Sequence, residues 1–496
     1  MSMIYQSTRG KGGELSASMA IIRGLSDDGG LFVPKTLPSF DFKPEEVSSW
    51  DYRETAFRVM RLLLDDYSEE ELRQCIDRAY DEKFDTPEMA PLQKKGDRFF
   101  LELFHGKTIA FKDMALSILP HLLTTALKKN GIDRKILILT ATSGDTGKAA
   151  LAGFSDVPGT AIIVFYPKGG VSRIQELQMV TEKGKNTRVF GVRGNFDDCQ
   201  SGVKAIFNDA SMQEELSKQG FSFSSANSIN IGRLVPQIVY YVYAYGRMVK
   251  QGHIKAGDKL NFSVPTGNFG NILAAWYAKR MGLPIGTLIC ASNQNNVLYD
   301  FLRSGIYDKN RPFILTSSPS MDILISSNLE RLIYHIAGED AAKNSALMAS
   351  LRETGRYEIT KEMEEKLADF YGAFATEEQV AEEIRGIYKE TGYVIDPHTA
   401  VAAFAQDCYR KESSDTTPTV IVSTASPYKF AGSVYRAIQG ETSLTDDFEI
   451  VDALHELSKT DIPAAVSEIR NAGIVHQTVT DIQDMPKQVL TSLSAL

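Results

Sequence analysis

From about residue 98 the chain alternates short apolar runs with helical stretches, and this rhythm limits the possible folds more than any other feature. The runs are "FFLELF" (99–104), "ILILT" (136–140), "TAIIVFY" (160–166), "TRVFGV" (187–192), "KLNFSV" (259–264), "TLICA" (287–291) and "TVIVS" (419–423). Several are apolar throughout, the pattern of strands covered by helices on both faces. The reading is an α/β protein of mostly parallel open sheets, with ligand sites at the carboxyl ends of strands. Residues 1–90 read as a mixed N-terminal domain, 91–435 as a central region of two α/β subdomains, and 436–496 as a C-terminal segment. Within the central region, about 325–390 reads as a charged, amphipathic helical insertion.

Charge and composition then remove whole classes of function. The net charge is −9 and no long Lys/Arg block interrupts it, which argues against nucleic acid and anionic membrane as partners. No stretch approaches the ~20 apolar residues of a membrane span. The opening "MSMIYQSTRGKGGELS" lacks the apolar core of a signal peptide, so the expectation is a cytoplasmic protein. Cys75, Cys199, Cys290 and Cys408 lie far apart with no CxxC, and the seven histidines form no HExxH. Free, buried thiols are expected, and nothing points to a metal.

Five polar stretches stand where plain loops would suffice. In "HGKTIAFKDMALSIL", Lys112 precedes Asp113 and a run of helix formers, so it should sit near a helix N-terminus. There the helix dipole favours the neutral amine, which can form an imine with an aldehyde cofactor. A surface ion pair with Asp113 is the plainer alternative. "TATSGDTGKAAL" is strand, turn, helix. It is not a P-loop, because only two residues separate Gly144 from Gly147 and Ala149 follows Lys148. Thr142, Ser143, Asp145 and Thr146 there are either ligand groups or ordinary helix caps.

"PTGNFGN" (265–271) is sharper. Gly267 and Gly270 bracket Asn268 and Phe269, permitting positive φ and close approach of the backbone to an anion, with Asn271 adding an amide at the helix start. "SSANSINIGR" (224–233) offers Asn227, Ser228 and Arg233 to one anion, Arg being suited to a bidentate phosphate contact. "VIVSTASPYKF" (420–430) ends a buried strand with Ser423, Thr424 and Ser426, and a hydroxyl there can meet a heteroaromatic nitrogen without carrying charge.

Together these pieces resemble the threonine synthases of the longer bacterial and fungal type, which have the tryptophan-synthase-β-like fold (fold type II) of pyridoxal-phosphate enzymes. The resemblance runs through "YQSTRG", "DGGLFVP", "HGKTIAFKD", "TATSGDTGKAA", "GVRGNFDD", "NSINIGR", "PTGNFGN", "SMDILISSNLERL", "GYVIDPHTA" and "STASPYKF", nearly the whole chain. It implies pyridoxal 5'-phosphate as cofactor and Lys112 as the lysine bound to it. It implies that Gly267, Asn268, Phe269, Gly270 and Asn271 cradle the cofactor phosphate and that Thr424 bonds the pyridine nitrogen. Asp145 stands where many relatives have Asn beside the cofactor's 3'-oxygen. Thr142, Ser143, Thr146, Asn227, Ser228, Arg233 and Asn268 are implied to hold the substrate's phosphate and carboxylate.

The implied reaction converts O-phospho-L-homoserine and water into L-threonine and phosphate. A phospho-lyase giving 2-oxobutyrate and a non-catalytic phosphate-ligand sensor are alternatives on the same scaffold. Retention of Lys112 argues against the sensor, which needs no imine-forming lysine.

Overall fold

The computed structural model describes residues 2–142 and 144–493. Two sheets organise the central region. The larger runs in the order Phe370–Phe374, Ile285–Ser292, Leu260–Pro265, Thr419–Ser423, Arg98–Glu102, Leu92–Lys95. Its first five strands are parallel and only Leu92–Lys95 is antiparallel, forming a hairpin with Arg98–Glu102. The smaller sheet is parallel throughout: Val479–Thr480, Thr187–Val192, Thr160–Pro167, Lys135–Ala141, Phe221–Ser224. Leu260–Pro265, Thr160–Pro167 and Thr419–Ser423 are buried at every position, as expected of largely apolar strands covered on both faces.

The helix Ile231–Lys250 ties the parts together. It is apolar nearly all round, "IGRLVPQIVYYVYAYGRMVK", and 18 of its residues are buried. A helix of that kind belongs inside the protein. The N-terminal helix Tyr52–Met60 packs on it, and so does the helix Gly270–Arg280 of the larger sheet. The strands Tyr5–Ser7 and Phe32–Pro34 pair antiparallel at the chain's start.

The stretch 325–390 is not all helix. It holds Leu329–Ile336, Ala341–Thr354 and Glu377–Thr391, but Phe370–Phe374 is the edge strand of the larger sheet, paired with Ile285–Ser292. "FYGAF" is too short to show a period, and the charged helices around it conceal it. Its aromatic residues suit a strand, and Gly372 disfavours a helix. The C-terminal segment also reaches back: Val479–Thr480 extends the smaller sheet, and Met485, Val489 and Leu493 join that sheet's core. Among the described residues no helix is long and apolar enough to cross a membrane. All four cysteines are free, with Cys408 only half-buried.

Candidate active site

Loops from the carboxyl ends of both sheets meet around Lys112. The lysine is the first residue of the helix Lys112–Leu116, reached from the strand Arg98–Glu102. The turn leading to it is held hard. Thr108 donates its N–H and hydroxyl to Asp113 at 2.7 and 2.6 Å, and Ile109 takes φ +50°, a region β-branched residues avoid. Across the turn, Phe111 N–H donates to the Thr424 carbonyl at 2.8 Å, and Ser426 N–H donates to the Ile109 carbonyl. The end of the strand Thr419–Ser423 thus fixes Thr424 beside Lys112.

Asp145 comes from the other sheet, at the start of the helix Asp145–Phe154. Its Oδ2 lies 3.6 Å from Lys112 Nζ, and its Oδ1 lies 3.3 Å from Lys429 Nζ. Gln175 donates to Oδ1 at 3.0 Å, and the Ser320 hydroxyl donates to Oδ2 at 2.7 Å. Burial alone would raise its pKa, but the charges of Lys429 and Lys112 and the Ser320 bond outweigh that and hold it well below the usual carboxylate range. Asp145 is therefore an anion. Lys112 moves the other way. Burial lowers its proton affinity, Asp145 opposes this, and the charges of Lys429 and Arg233 add to the lowering. A buried lysine beside other cations is readily a neutral amine.

The turn 265–271 has the features of an anion cradle. Among the described residues, the backbone N–H groups of 267–271 have no protein acceptor. They lie at the N-terminus of the helix Gly270–Arg280, where the dipole favours negative charge. The sequence leads one to expect positive φ at the glycines, but Phe269 takes it, at +61°. The cause is packing: the Phe269 ring is buried against Phe370, and only the left-handed backbone keeps it there while the chain turns. Phe269 can therefore serve an anion only through its backbone. The glycines act by close approach. A Cβ on Gly267 would come within 2.5 Å of the Ser320 carbonyl oxygen. Asn271 Oδ1 accepts from Tyr240 and Tyr241 hydroxyls at 2.5 and 2.7 Å, which leaves its buried Nδ2 without a partner. The Asn268 side chain accepts from the Ser327 hydroxyl, and its carbonyl accepts from Asn328.

The turn after Lys135–Ala141 is different. Thr142 Oγ1 accepts from Gly144 N–H at 3.0 Å and Gly147 N–H at 2.9 Å, so this hydroxyl caps its own helix. Thr146 lies half-buried in the first turn of that helix, while Ser143 falls outside the described residues. Asn227 is exposed and Ser228 half-buried, on the turn that covers Arg233. Arg233 itself is 3% exposed. Its Nη1 donates to the Ala226 carbonyl at 3.0 Å, its Nε has no partner among the described residues, and burial pushes its pKa down to about 10. No hydrogen bond joins Thr142 or Thr146 to Arg233 among the described residues.

Sequence reasoning missed Ser320, His398 with Asp396, Lys429, Gln175 and Arg331. All but Gln175 stand in or beside motifs already noticed, but what they touch is decided by segments far along the chain. Arg331 is fully buried and binds two of them, the Phe32 carbonyl at 3.0 Å and the Ile229 carbonyl at 2.6 Å, together with the nearby Asn328 side chain. It thus joins the N-terminal domain to the turns carrying Asn268 and Asn227. The "STRG" motif has a structural task, since Thr8 and Arg9 both bond Glu330.

A lysine at a helix start, an N–H cradle at another and a hydroxyl-bearing residue held beside the lysine fit pyridoxal phosphate. Residues 88–425 match the model of the pyridoxal-phosphate dependent enzymes, and the chain is one of these, of fold type II. Residues 4–80 match the threonine synthase N terminus and 399–479 the threonine synthase C-terminal model. Threonine synthase of Saccharomyces cerevisiae is 36% identical, covering 92% of this chain and 93% of that protein. The crystal structure of PLP-bound threonine synthase from Brucella melitensis superposes with a TM-score of 0.87 at 35% identity, covering 99% of both chains. Human threonine synthase-like 1 is 40% identical over 88% of this chain, which spans only 61% of that longer protein. The chain belongs to the threonine synthase family.

Proposed function

We propose that this enzyme converts O-phospho-L-homoserine and water into L-threonine and phosphate. The observation that carries the proposal is Arg233, a buried guanidinium without a carboxylate partner, whose charge bears on Lys112. It supplies a second anion site beside the N–H cradle of 267–271. One anion is the cofactor's phosphate and the other the substrate's. Lys112 holds the cofactor, Asn271 Nδ2 and the cradle take its phosphate, and the Thr424 hydroxyl meets its ring nitrogen. Asp145, anionic and paired with Lys429, keeps positive charge beside Lys112. The bound cofactor supplies an electron sink for the charge that develops on the substrate carbons.

The remaining work belongs to the chain's own groups. Once released to the free amine, Lys112 takes a proton at Cα and moves another at Cβ, a task its lowered proton affinity suits. Arg233 grips the phosphate at Cγ and stabilises its growing charge as it leaves. Asn227, Ser228, Ser143, Thr146 and Asn268 complete the substrate site in this reading, with Thr142 fixing the turn that leads to Thr146. A small-molecule substrate and a cytoplasmic setting go with it.

Proton and phosphorus NMR of the cofactor-loaded enzyme with O-phospho-L-homoserine tests the reading. Threonine and phosphate in equal amounts support it, whereas phosphate with 2-oxobutyrate makes the enzyme a phospho-lyase. Arg233→Ala is expected to raise KM at least about tenfold, the loss of a charged hydrogen bond, while leaving cofactor affinity within about twofold. Loss of cofactor with unchanged KM would assign Arg233 to the other anion.

A further inference from the structure

Ser320 is absent from every expectation drawn from the sequence, and it touches the reacting amine. Lys112 Nζ donates to Ser320 Oγ at 3.2 Å, and Ser320 Oγ donates onward to Asp145 Oδ2 at 2.7 Å. The residue sits in a single helical turn, Pro319–Met321, and is held from two further sides. Its carbonyl is pressed against Gly267, in the turn that forms the N–H cradle. Its backbone N–H lies 3.3 Å from His398 Nε2.

His398 is prepared for that contact. It is 2% exposed, its ring packs on Phe430, and its Nδ1 lies 2.6 Å from Asp396 Oδ2. Asp396 is fully buried and also accepts from the N–H groups of His398 and Thr399 and from the Thr399 hydroxyl. An ionised carboxylate only accepts, so the proton of the neutral ring is on Nδ1 and Nε2 presents its lone pair to Ser320. Capping the helix Pro397–Ser413 requires neither a histidine nor this ring orientation. The arrangement aims a lone pair at one backbone N–H in the site.

We propose that Ser320 is a catalytic residue of the Lys112 proton transfers and that the buried Asp396–His398 pair is the positioning device that aims it. The proposal rests on the reaction given above. Ser320 does not carry the proton away, because Asp145 is too weak a base to receive it. Its oxygen holds one N–H of the free amine, which directs the nitrogen lone pair elsewhere, toward the carbon being deprotonated. When Lys112 takes the proton, the same contact becomes a charge-assisted bond and strengthens, so it favours the transition state over the ground state. Ser320 neither gains nor loses a proton in these transfers.

The test uses the cofactor-loaded enzyme, O-phospho-L-homoserine and its α-deuterated form. Ser320→Ala is expected to lower kcat about 30- to 100-fold, at the lower end for a group serving general acid–base catalysis. KM and cofactor affinity stay within about threefold, and the deuterium isotope effect on kcat rises as proton abstraction becomes more rate-limiting. His398→Phe should show the same signature about tenfold down, and His398→Gln, which keeps an acceptor, should recover part of it. Independently of turnover, Ser320→Ala should shift the pH at which the bound cofactor's visible absorbance changes. Unchanged kcat, isotope effect and absorbance in Ser320→Ala would overturn the proposal. So would a raised KM with an unaltered isotope effect, which marks a merely structural serine. If the parent enzyme itself gives no threonine, the reaction fails instead, and the absorbance shift alone decides the role of Ser320.

Discussion

The turn after Lys135–Ala141 closes on itself, whereas the turn after Leu260–Pro265 leaves its N–H groups open. In the first, Thr142 Oγ1 takes the N–H of Gly147 in the helix and that of Gly144 just before it, and Asp145 brings a negative charge to the helix start. In the second, the N–H groups of 267–271 have no protein acceptor among the described residues, and Asn271 keeps a spare donor. Both are strand, glycine-bearing turn and helix, so both satisfy the same sequence pattern. What separates them is where the polar side chain of the turn points. A hydroxyl folded back into its own helix removes anion-binding capacity, and an amide whose oxygen is claimed by two tyrosines adds it.

Lys112 lies between the two turns, and removing it gives the largest effect. Lys112→Ala is expected to cut turnover by at least about 10³-fold while both turns and the melting temperature stay as they are. Near-normal activity would shift the role to another amine, Lys107 first. Asn271→Asp comes next. It replaces the spare donor with a charge facing an anion, and cofactor affinity measured by absorbance titration should fall about 10- to 100-fold. Thr142→Val is its counterpart. It strips a cap worth about 1 kcal/mol, read by urea denaturation, and leaves cofactor affinity within about twofold. Should Thr142→Val lose cofactor and Asn271→Asp keep it, the contrast between the turns would be reversed.

The smallest effect concerns the larger-sheet side alone. Burial works against the charged form of His105, but its bonds to Asp85 and Glu102 prevail and push its pKa up to about 9, from an ordinary 6.5. Its stabilisation is therefore complete below about pH 6.5 and is lost as pH rises from there to about 9. His105 stands at the start of the turn into Lys112. The urea midpoint should fall across that interval, and His105→Gln should flatten the fall.

Much of this was legible in the sequence because it is local. Unbroken apolar runs such as "ILILT" and "TVIVS" announced strands buried on both faces, and the sheets have them within a residue or two. The start of a helix at Lys112 followed from the helix formers after it. Where the sequence misled, a distant partner had intervened. "FYGAF" is a strand because Ile285–Ser292 offers it an edge. Phe269, and neither glycine, is left-handed because its ring has a place in the core.

The sequence by itself determined the architecture and the family, since periodicity and motif spacing are properties of neighbouring residues. Only the tertiary structure decided which polar groups remain free to bind. Arg233 Nε, Asn271 Nδ2 and the N–H groups of 267–271 are left without protein partners among the described residues, while Thr142 and the "STRG" motif are occupied. Ser320, 208 residues from Lys112, was likewise brought to it by folding. A hydrogen-bonding group has the same inventory wherever it stands in the chain. Whether it is satisfied depends on what folding brings within about 3 Å of it.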